Sequence, residues 1–285
     1  MPDALEHWGK TLVHHGPEND RIYLLKVHPE DMSGLRERVD ALLEEKGYGK
    51  VIAKVPLGLS QPFLEAGYRE EARIPGLYQG REDGLFLVRY ASRPGRDQEP
   101  FPEEVSRVRR HLDQDTGRSQ RGDLQGAWVM RRAGEDDLPE MAQLYRQVFP
   151  SYPFPIDDPE YLRETMKGSV RYTGAWRSGR LLALASVEMD VGGQNAEMTD
   201  FATLPEGRGK GLALNLLKAG EEIARQEGLL TLYTIARAPS VGMNLTFKRA
   251  GYRLSGTLVH NTWIFGRIES MNVWYRPLDG SEARG

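Results

Sequence analysis

Residues 197–213 read Glu197-Met198-Thr199-Asp200-Phe201-Ala202-Thr203-Leu204-Pro205-Glu206-Gly207-Arg208-Gly209-Lys210-Gly211-Leu212-Ala213, and they constrain the fold of this 285-residue chain more than any other stretch. A β-rich run closes at Pro205. A glycine turn carrying two cations follows. Leu212, Leu216, Leu217 and Ile223 then recur at roughly helical spacing. A strand feeding a glycine turn that opens a helix is a physical anion site. Small residues let the backbone approach a phosphate, and the first amides of the helix point outward without partners. Glu197 and Asp200, upstream on the same strand, put acid-base chemistry beside that anion.

Composition narrows what such a site serves. A hydrophobic fraction of 39% is enough for a sizeable core, and the length suits one large or two ordinary domains. A net charge of −3 gives no reason to expect nucleic acid or an anionic membrane as partner. The absence of cysteine excludes disulfides, thiolate metal sites and a cysteine nucleophile, and it suits a reducing, cytoplasmic setting. His14-His15 is too tight a pair for a helix-borne zinc motif, so no metal is expected. Residues 1–10 have no apolar stretch of the kind a secretory signal needs, and no run approaches the ~20 apolar residues of a membrane span.

Taken in order, residues 21–27 read as a strand, 35–43 as a helix, 50–55 as a strand and 61–66 as a short helix. Residues 69–90 read as a hairpin turning at 79–84. The first half is therefore β-α-β-α-ββ. Residues 93–125 hold prolines, charges and a polar glycine-containing run. They are expected to be a solvated linker, with a short charged helix over 105–112. From residue 127 the order is β-α-α-β-β-β-α-β-α-β-β, with an irregular loop at Ser151-Tyr152-Pro153-Phe154-Pro155-Ile156 that two prolines keep from being helix. Phe63-Leu64-Glu65-Ala66-Gly67-Tyr68-Arg69 echoes Phe247-Lys248-Arg249-Ala250-Gly251-Tyr252-Arg253, each after a strand and before two more. The domains expected are a degenerate half-copy over 1–92, the linker over 93–125 and the full copy over 126–279.

Strand, Arg208-Gly209-Lys210-Gly211-Leu212-Ala213 and helix together resemble the GNAT superfamily of N-acetyltransferases. That pattern asks for Arg or Gln, two residues, Gly, one residue, then Gly or Ala, and Arg208, Gly211 and Ala213 fit it. A helix closing on Ala-Gly-Tyr after the next strand fits as well. The resemblance implies a mixed-sheet α/β acyltransferase fold over about 127–277. A closer resemblance is to the β-lysine N-acetyltransferases, through residues 197–203, Tyr233-Thr234-Ile235-Ala236-Arg237-Ala238, residues 151–156, Ile268-Glu269-Ser270-Met271-Asn272-Val273-Trp274, His15-Gly16, Asn19-Asp20-Arg21 and Lys54-Val55-Pro56. It implies acetyl transfer from acetyl-CoA to the terminal N6 amine of β-lysine, with the product serving as a compatible solute in osmotic stress.

The resemblance also assigns roles to residues. Amides of Gly209, Lys210, Gly211, Leu212 and Ala213 would face the pyrophosphate of acetyl-CoA, with Arg208 or Lys210 adding charge. The backbone at Phe201 and Thr203 would pair with the pantetheine arm. Asn244 lies where the next helix touches the cofactor in that superfamily. Ser240 lies there too, and an N-cap role suits it equally.

The reaction needs a neutral amine. From an unperturbed pKa near ~10.4, deprotonation at neutral pH costs about 4–5 kcal/mol. Glu197 occupies the strand position of the superfamily's general base. Asp200 falls on the opposite face of a regular strand, because side chains alternate, so both reach one pocket only across a bulge. Asp200 is accordingly assigned to substrate, with Arg237 for a carboxylate, Glu269 and Glu188 for the second amine, and Tyr152, Asn261 and Asn272 for neutral hydrogen bonds.

The usual acid, a Tyr four residues before the helix-ending Gly, is Phe247 here. Solvent, Tyr233 or Tyr252 is left to protonate the leaving thiolate. Another small amine, such as lysine or a polyamine, and a non-catalytic acyl-CoA sensor are the alternatives. The sequence leaves the oligomeric state open.

Overall fold

The chain lays down two mixed β-sheets in succession. In the computed structural model, residues 3–91, 103–115 and 127–278 are described. The first sheet contains β1 (Ala4–Trp8), β2 (Thr11–Gly16), β3 (Arg21–Lys26), β4 (Lys50–Pro56), β5 (Arg69–Tyr78) and β6 (Glu82–Tyr90), with α1 (Leu35–Lys46) and α2 (Gln61–Glu65) between β3 and β5. Strands β1 and β2 precede the expected start. Most of β2 is buried on both faces, so it shows none of the alternation that betrays a half-buried strand.

A helix α3 (Glu103–Gln114) follows, inside the expected linker. Its Val105, Val108 and Leu112 share one face and are buried, and Val108 and Leu112 join the second half's core. This part of the connection is packed structure and not a solvated tether. The rest of the 93–125 stretch lies outside the described residues, apart from Asp115, which pairs with Arg249 at 2.7 Å.

The second half runs β7 (Trp128–Arg132), α4 (Leu138–Val148), α5 (Pro159–Lys167), β8 (Val170–Arg177), β9 (Arg180–Asp190), β10 (Asn195–Thr203), α6 (Leu212–Gln226), β11 (Thr231–Arg237), α7 (Val241–Arg249), β12 (Arg253–Ile264) and β13 (Arg267–Pro277). Its sheet order is β12-β13-β11-β10-β9-β8-β7, and the first sheet's is β1-β2-β3-β4-β6-β5. The orders match strand for strand, β1 to β8 through β6 to β13. So do the pairing directions: the parallel pair β3–β4 corresponds to β10–β11, and the other pairs are antiparallel in both sheets. The Ala-Gly-Tyr echo read in the sequence marks the equivalent helices α2 and α7.

The two sheets share one core. Tyr23, Ile52, Ile74 and Phe86 of the first pack with Leu258, Met271 and Val273 of the second. Polar ties run through the same contact. Lys50 Nζ donates to the Val259 carbonyl at 2.8 Å, the Gln79 amide to the Gly193 carbonyl at 2.7 Å, and Arg21 to the Asn261 carbonyl. Among the described residues, no helix is long and apolar enough to cross a membrane, and no group of His, Asp and Glu is arranged to hold a metal ion.

Closest approach occurs at Gly256 in β12, where a Cβ would sit 2.0 Å from the Glu71 carbonyl oxygen of β5. Gly256→Ala should therefore separate the two backbones locally and destabilise the chain by about 1–3 kcal/mol. That corresponds to a fall in Tm of roughly 3–10 °C by calorimetry. Gly134→Ala, whose Cβ meets nothing within 4 Å, should cost less than about 0.5 kcal/mol. Equal Tm values for the two variants would refute the close approach.

Candidate active site

Strands β10 and β11 pair in parallel at Asn195↔Thr231, Ala196↔Leu232 and Glu197↔Tyr233, and no further pair follows. β10 continues for six residues beyond that rung and β11 for four, so the strands splay. A cleft of about 650 Å³ lies along the splay. Thr199, Phe201 and Thr203 line one wall, and Thr234, Ala236 and Arg237 the other. The unpaired edges leave backbone amides and carbonyls for an extended ligand.

The glycine turn closes one end of the cleft. Gly209 and Gly211 take φ of 72° and 74°, a left-handed conformation that side-chain-bearing residues adopt at a cost. A Cβ on Gly209 would meet nothing, so conformation and not space selects glycine there. Helix α6 then begins at Leu212. Leu212, Ala213 and Leu214 line the cleft, and the amides of this first turn have no intrahelical acceptors.

The turn's two cations separate. Arg208 lines the cleft, with Nε donating to the Thr203 carbonyl at 3.3 Å. Lys210 turns away to the Glu206 carbonyl at 2.6 Å and the Trp128 ring.

Three carboxylates gather at the apex of the splay. Glu197 faces Glu188 across the β10–β9 pair. Between Thr199 and Ala202 the register with β9 shifts by one residue, and Asp200 sits there at φ 53°. This is a β-bulge, and its extra residue breaks the alternation that puts Asp200 on the far face. Asp200 Oδ2 accepts from Ser186 Oγ at 2.7 Å. Ser186 lies two residues from Glu188 on the same face of β9. Asp200 Oδ1 accepts from Tyr152 Oη at 2.5 Å, which docks the proline-rich loop on the cleft. The separation of Glu197 and Asp200 expected from strand alternation is thus corrected: the bulge brings both acids to one side.

Their surroundings hold all three carboxyls above the ordinary range. Burial is the largest cause for Glu197, with Asp200 pushing further up while Lys54 and the Tyr233 hydroxyl oppose. Burial also raises Asp200, against the hydrogen bonds from Tyr152 and Ser186. Glu188 opens to solvent, yet it is ringed by protein. Lost hydration and then the charges of Asp200 and Glu197 push it well up. A carboxyl moved toward neutrality is a better proton acceptor from an ammonium, and a cluster of them attracts cations.

Other expected residues are occupied elsewhere. Arg237 reaches the cleft, but its Nε and Nη2 form a fork on Glu269 at 2.6 and 2.7 Å, and its guanidinium lies 3.8 Å from the Phe265 ring centre. Glu269 is buried and also takes Arg267 at 3.0 Å, so it is neutralised and not open to an amine. Asn244 is fully buried. Its amide nitrogen bonds the Arg237 and Ser240 carbonyls and its oxygen accepts from Asn272 and Trp274. It therefore fastens α7 to the sheet and has no group left for a cofactor.

Asn272 is tied up in the same network, while Asn261 and Tyr252 are buried away from the cleft. Phe247 does line it, edge-on to Phe201 at 5.6 Å. Lys54 and Ser186 were not anticipated as site residues. For Lys54 a signal existed, since a lysine within the apolar run of β4 is out of place unless it has a partner.

Residues 138–252 match the acetyltransferase (GNAT) family. Over 258 residues the chain is 37% identical to a β-lysine N(6)-acetyltransferase of Methanococcus maripaludis, covering 90% of this chain and 93% of that protein. It is 34% identical over 217 residues to a β-lysine N(6)-acetyltransferase of Methanosarcina mazei, covering 75% and 78%. It is 31% identical over 283 residues to the N-acetyltransferase YodP of Bacillus subtilis, covering 98% and 100%.

The turn makes a direct prediction. Gly211→Asp puts a carboxylate at the mouth of α6 and a side chain at φ 74°. Coenzyme A binding by calorimetry should weaken at least ~30-fold, since a like charge faces the phosphates. The ligand-free Tm should fall only a few degrees, because the backbone strain is about 1 kcal/mol. Retained binding would remove the turn from the site.

Proposed function

The chain belongs to the acetyltransferase (GNAT) family, and we propose on that footing that it moves the acetyl group of acetyl-CoA onto the N6 amine of β-lysine by direct attack. The observation that carries the reading is the carboxylate cluster at the apex of the splay, in a chain 37% identical over 90% of its length to a β-lysine N(6)-acetyltransferase. The product's use as a compatible solute in the cytoplasm under osmotic stress is part of the same proposal.

The residues fit acetyl-CoA. Left-handed Gly209 and Gly211, the partnerless amides of Leu212, Ala213 and Leu214, and Arg208 suit a pyrophosphate, and the open edge of β10 at Phe201 and Thr203 suits the pantetheine arm. When bound, it supplies the activated acetyl. Glu197 sits at the last rung before the splay and takes the proton from the N6 ammonium. Glu188 and Asp200 hold the substrate's second ammonium, while Tyr152 anchors Asp200. No tyrosine near the apex is tuned as an acid, since burial holds Tyr152 and Tyr233 well above the usual phenol range. Phe247 offers no hydroxyl, so solvent in the open cleft protonates the departing thiolate.

The same excess of carboxylates suits a polyamine, and this is the second reading. Coenzyme A release on β-lysine, lysine, spermidine and N-terminal peptides separates the two. β-Lysine should lead spermidine in kcat/KM by roughly 100-fold, because only an amino acid has a carboxylate to recognise. Equal turnover of spermidine would favour the polyamine, and binding of coenzyme A without release on any amine would make the chain a sensor.

Glu197→Gln should lower the rate at neutral pH by about 10²–10⁴-fold and recover it as the pH nears the amine's own pKa of ~10.4. The sign follows from the raised carboxyl pKa: the base is ionised above that value, so wild-type rate rises with pH through it. An unchanged pH–rate profile would exclude Glu197 as the base.

A further inference from the structure

The first sheet keeps the topology of six of the second sheet's seven strands but not its anion site. Strand β3 runs only two residues past its last rung with β4, Leu24↔Ala53, so no long splay opens. Helix α1 does begin behind a left-handed Gly34 at φ 82°. The segment leading to it, however, carries Glu30 and Asp31 and no cation, which disfavours a phosphate. A cation of this sheet nevertheless reaches the other half's apex.

Lys50 and Lys54 share a face of β4. Lys50 is fully buried and bound to Glu71 and the Val259 carbonyl, which makes it a fastener of the two sheets. Lys54 is half-buried and has no carboxylate from its own sheet within ion-pair distance. Its Nζ donates to Tyr233 Oη at 2.8 Å and lies 5.1 Å from that ring's centre. Tyr233 is the residue opposite Glu197 on the last rung, and its hydroxyl helps to hold the Glu197 carboxyl down against burial. Lys54 is therefore bound to the side chain that stands next to Glu197 on the neighbouring strand.

We infer that Lys54, delivered by the first sheet, is the positioning cation of Glu197: held on Tyr233, it sets a positive charge beside that carboxylate, among Glu188 and Asp200. The inference rests on Glu197 being the base. Every other group facing Glu197 is neutral, negative or already paired. Glu188 and Asp190 come from β9, Asp200 from β10, Tyr23 from β3 and Tyr78 from β5. Lys26 is held by Asp190 at 3.1 Å. Among the described residues, Lys54 is thus the cation left to balance the cluster. Without it, burial and the charge of Asp200 would hold Glu197 protonated to a higher pH, and a protonated carboxyl cannot accept a proton.

The test uses the full chain and acetyl-CoA with the best amine of the panel above. Lys54→Met should move the acid limb of the kcat/KM–pH profile upward by about 1–3 pH units. The rate would then fall at least ~10-fold at pH 7 and return near pH 10, with KM for acetyl-CoA unchanged. Lys54→Arg should lie between, and Lys54→Gln should behave as Met does. A rate lost equally at all pH values would overturn the inference.

A second measurement needs no turnover: carbon-detected NMR titration of the Glu197 carboxyl in ligand-free wild type and Lys54→Met. An unmoved titration overturns the Lys54 inference even if Glu197 is the base. If Glu197→Gln keeps the wild-type acid limb, the base assignment fails while the titration still reports on Lys54.

Discussion

The site depends on an interruption of sheet pairing. A parallel pair of strands normally satisfies each other's amides and carbonyls along their length. Here β10 and β11 stop pairing at Glu197↔Tyr233 and diverge. That divergence opens the cleft, exposes an edge for an extended ligand, and fixes where the reacting group can sit. The glycine turn lies at the far end of β10 and the carboxylates at its near end, so strand length sets the distance between anion recognition and proton transfer. A ligand with a diphosphate at one end and a reactive carbonyl at the other matches that layout.

Gathering three carboxylates at the apex is unfavourable in itself. Like charges and burial both raise the free energy of their ionised forms. The chain offsets this by hydrogen bonding and by one cation. Tyr152 and Ser186 stabilise Asp200, and Lys54 with Tyr233 stabilises Glu197. Those partners come from the loop after α4, from β9, from β11 and from the other sheet. The site is therefore assembled by packing between elements far apart in sequence, and the shared core of the two sheets holds its geometry.

How much was legible follows from the range of each interaction. The glycine turn, Glu197 on the preceding strand and the element order of the second half depend on local spacing, so the sequence carries them. The bulge at Asp200 does not follow from alternation, because one inserted residue leaves no mark in the pattern, so alternation alone puts Asp200 on the wrong face. Arg237 and Glu269 looked like separate ligands, but they lie on neighbouring strands and neutralise each other. Asn244 sat at a cofactor-like position, yet its fully used amide shows a structural duty. Strand β2 is not legible in the sequence because burial on both faces erases the period of two.

The repeated topology supplies a physical reason for keeping the first sheet. A copy without a splay and with acids before its helix has no evident means of binding an anionic cofactor. It can still fill a face. Packed against the second sheet, it covers Tyr233, Met271 and Val273, which would otherwise be exposed apolar surface. Once that face is covered, a lysine on β4 no longer points into water. It points at the hydroxyl opposite the base, where a charge acts over a short distance in a partly desolvated setting. Cover alone would be served by an apolar residue at position 54. Lysine there needs a partner on the opposite sheet, and the carboxylate cluster behind Tyr233 is the feature that supplies one.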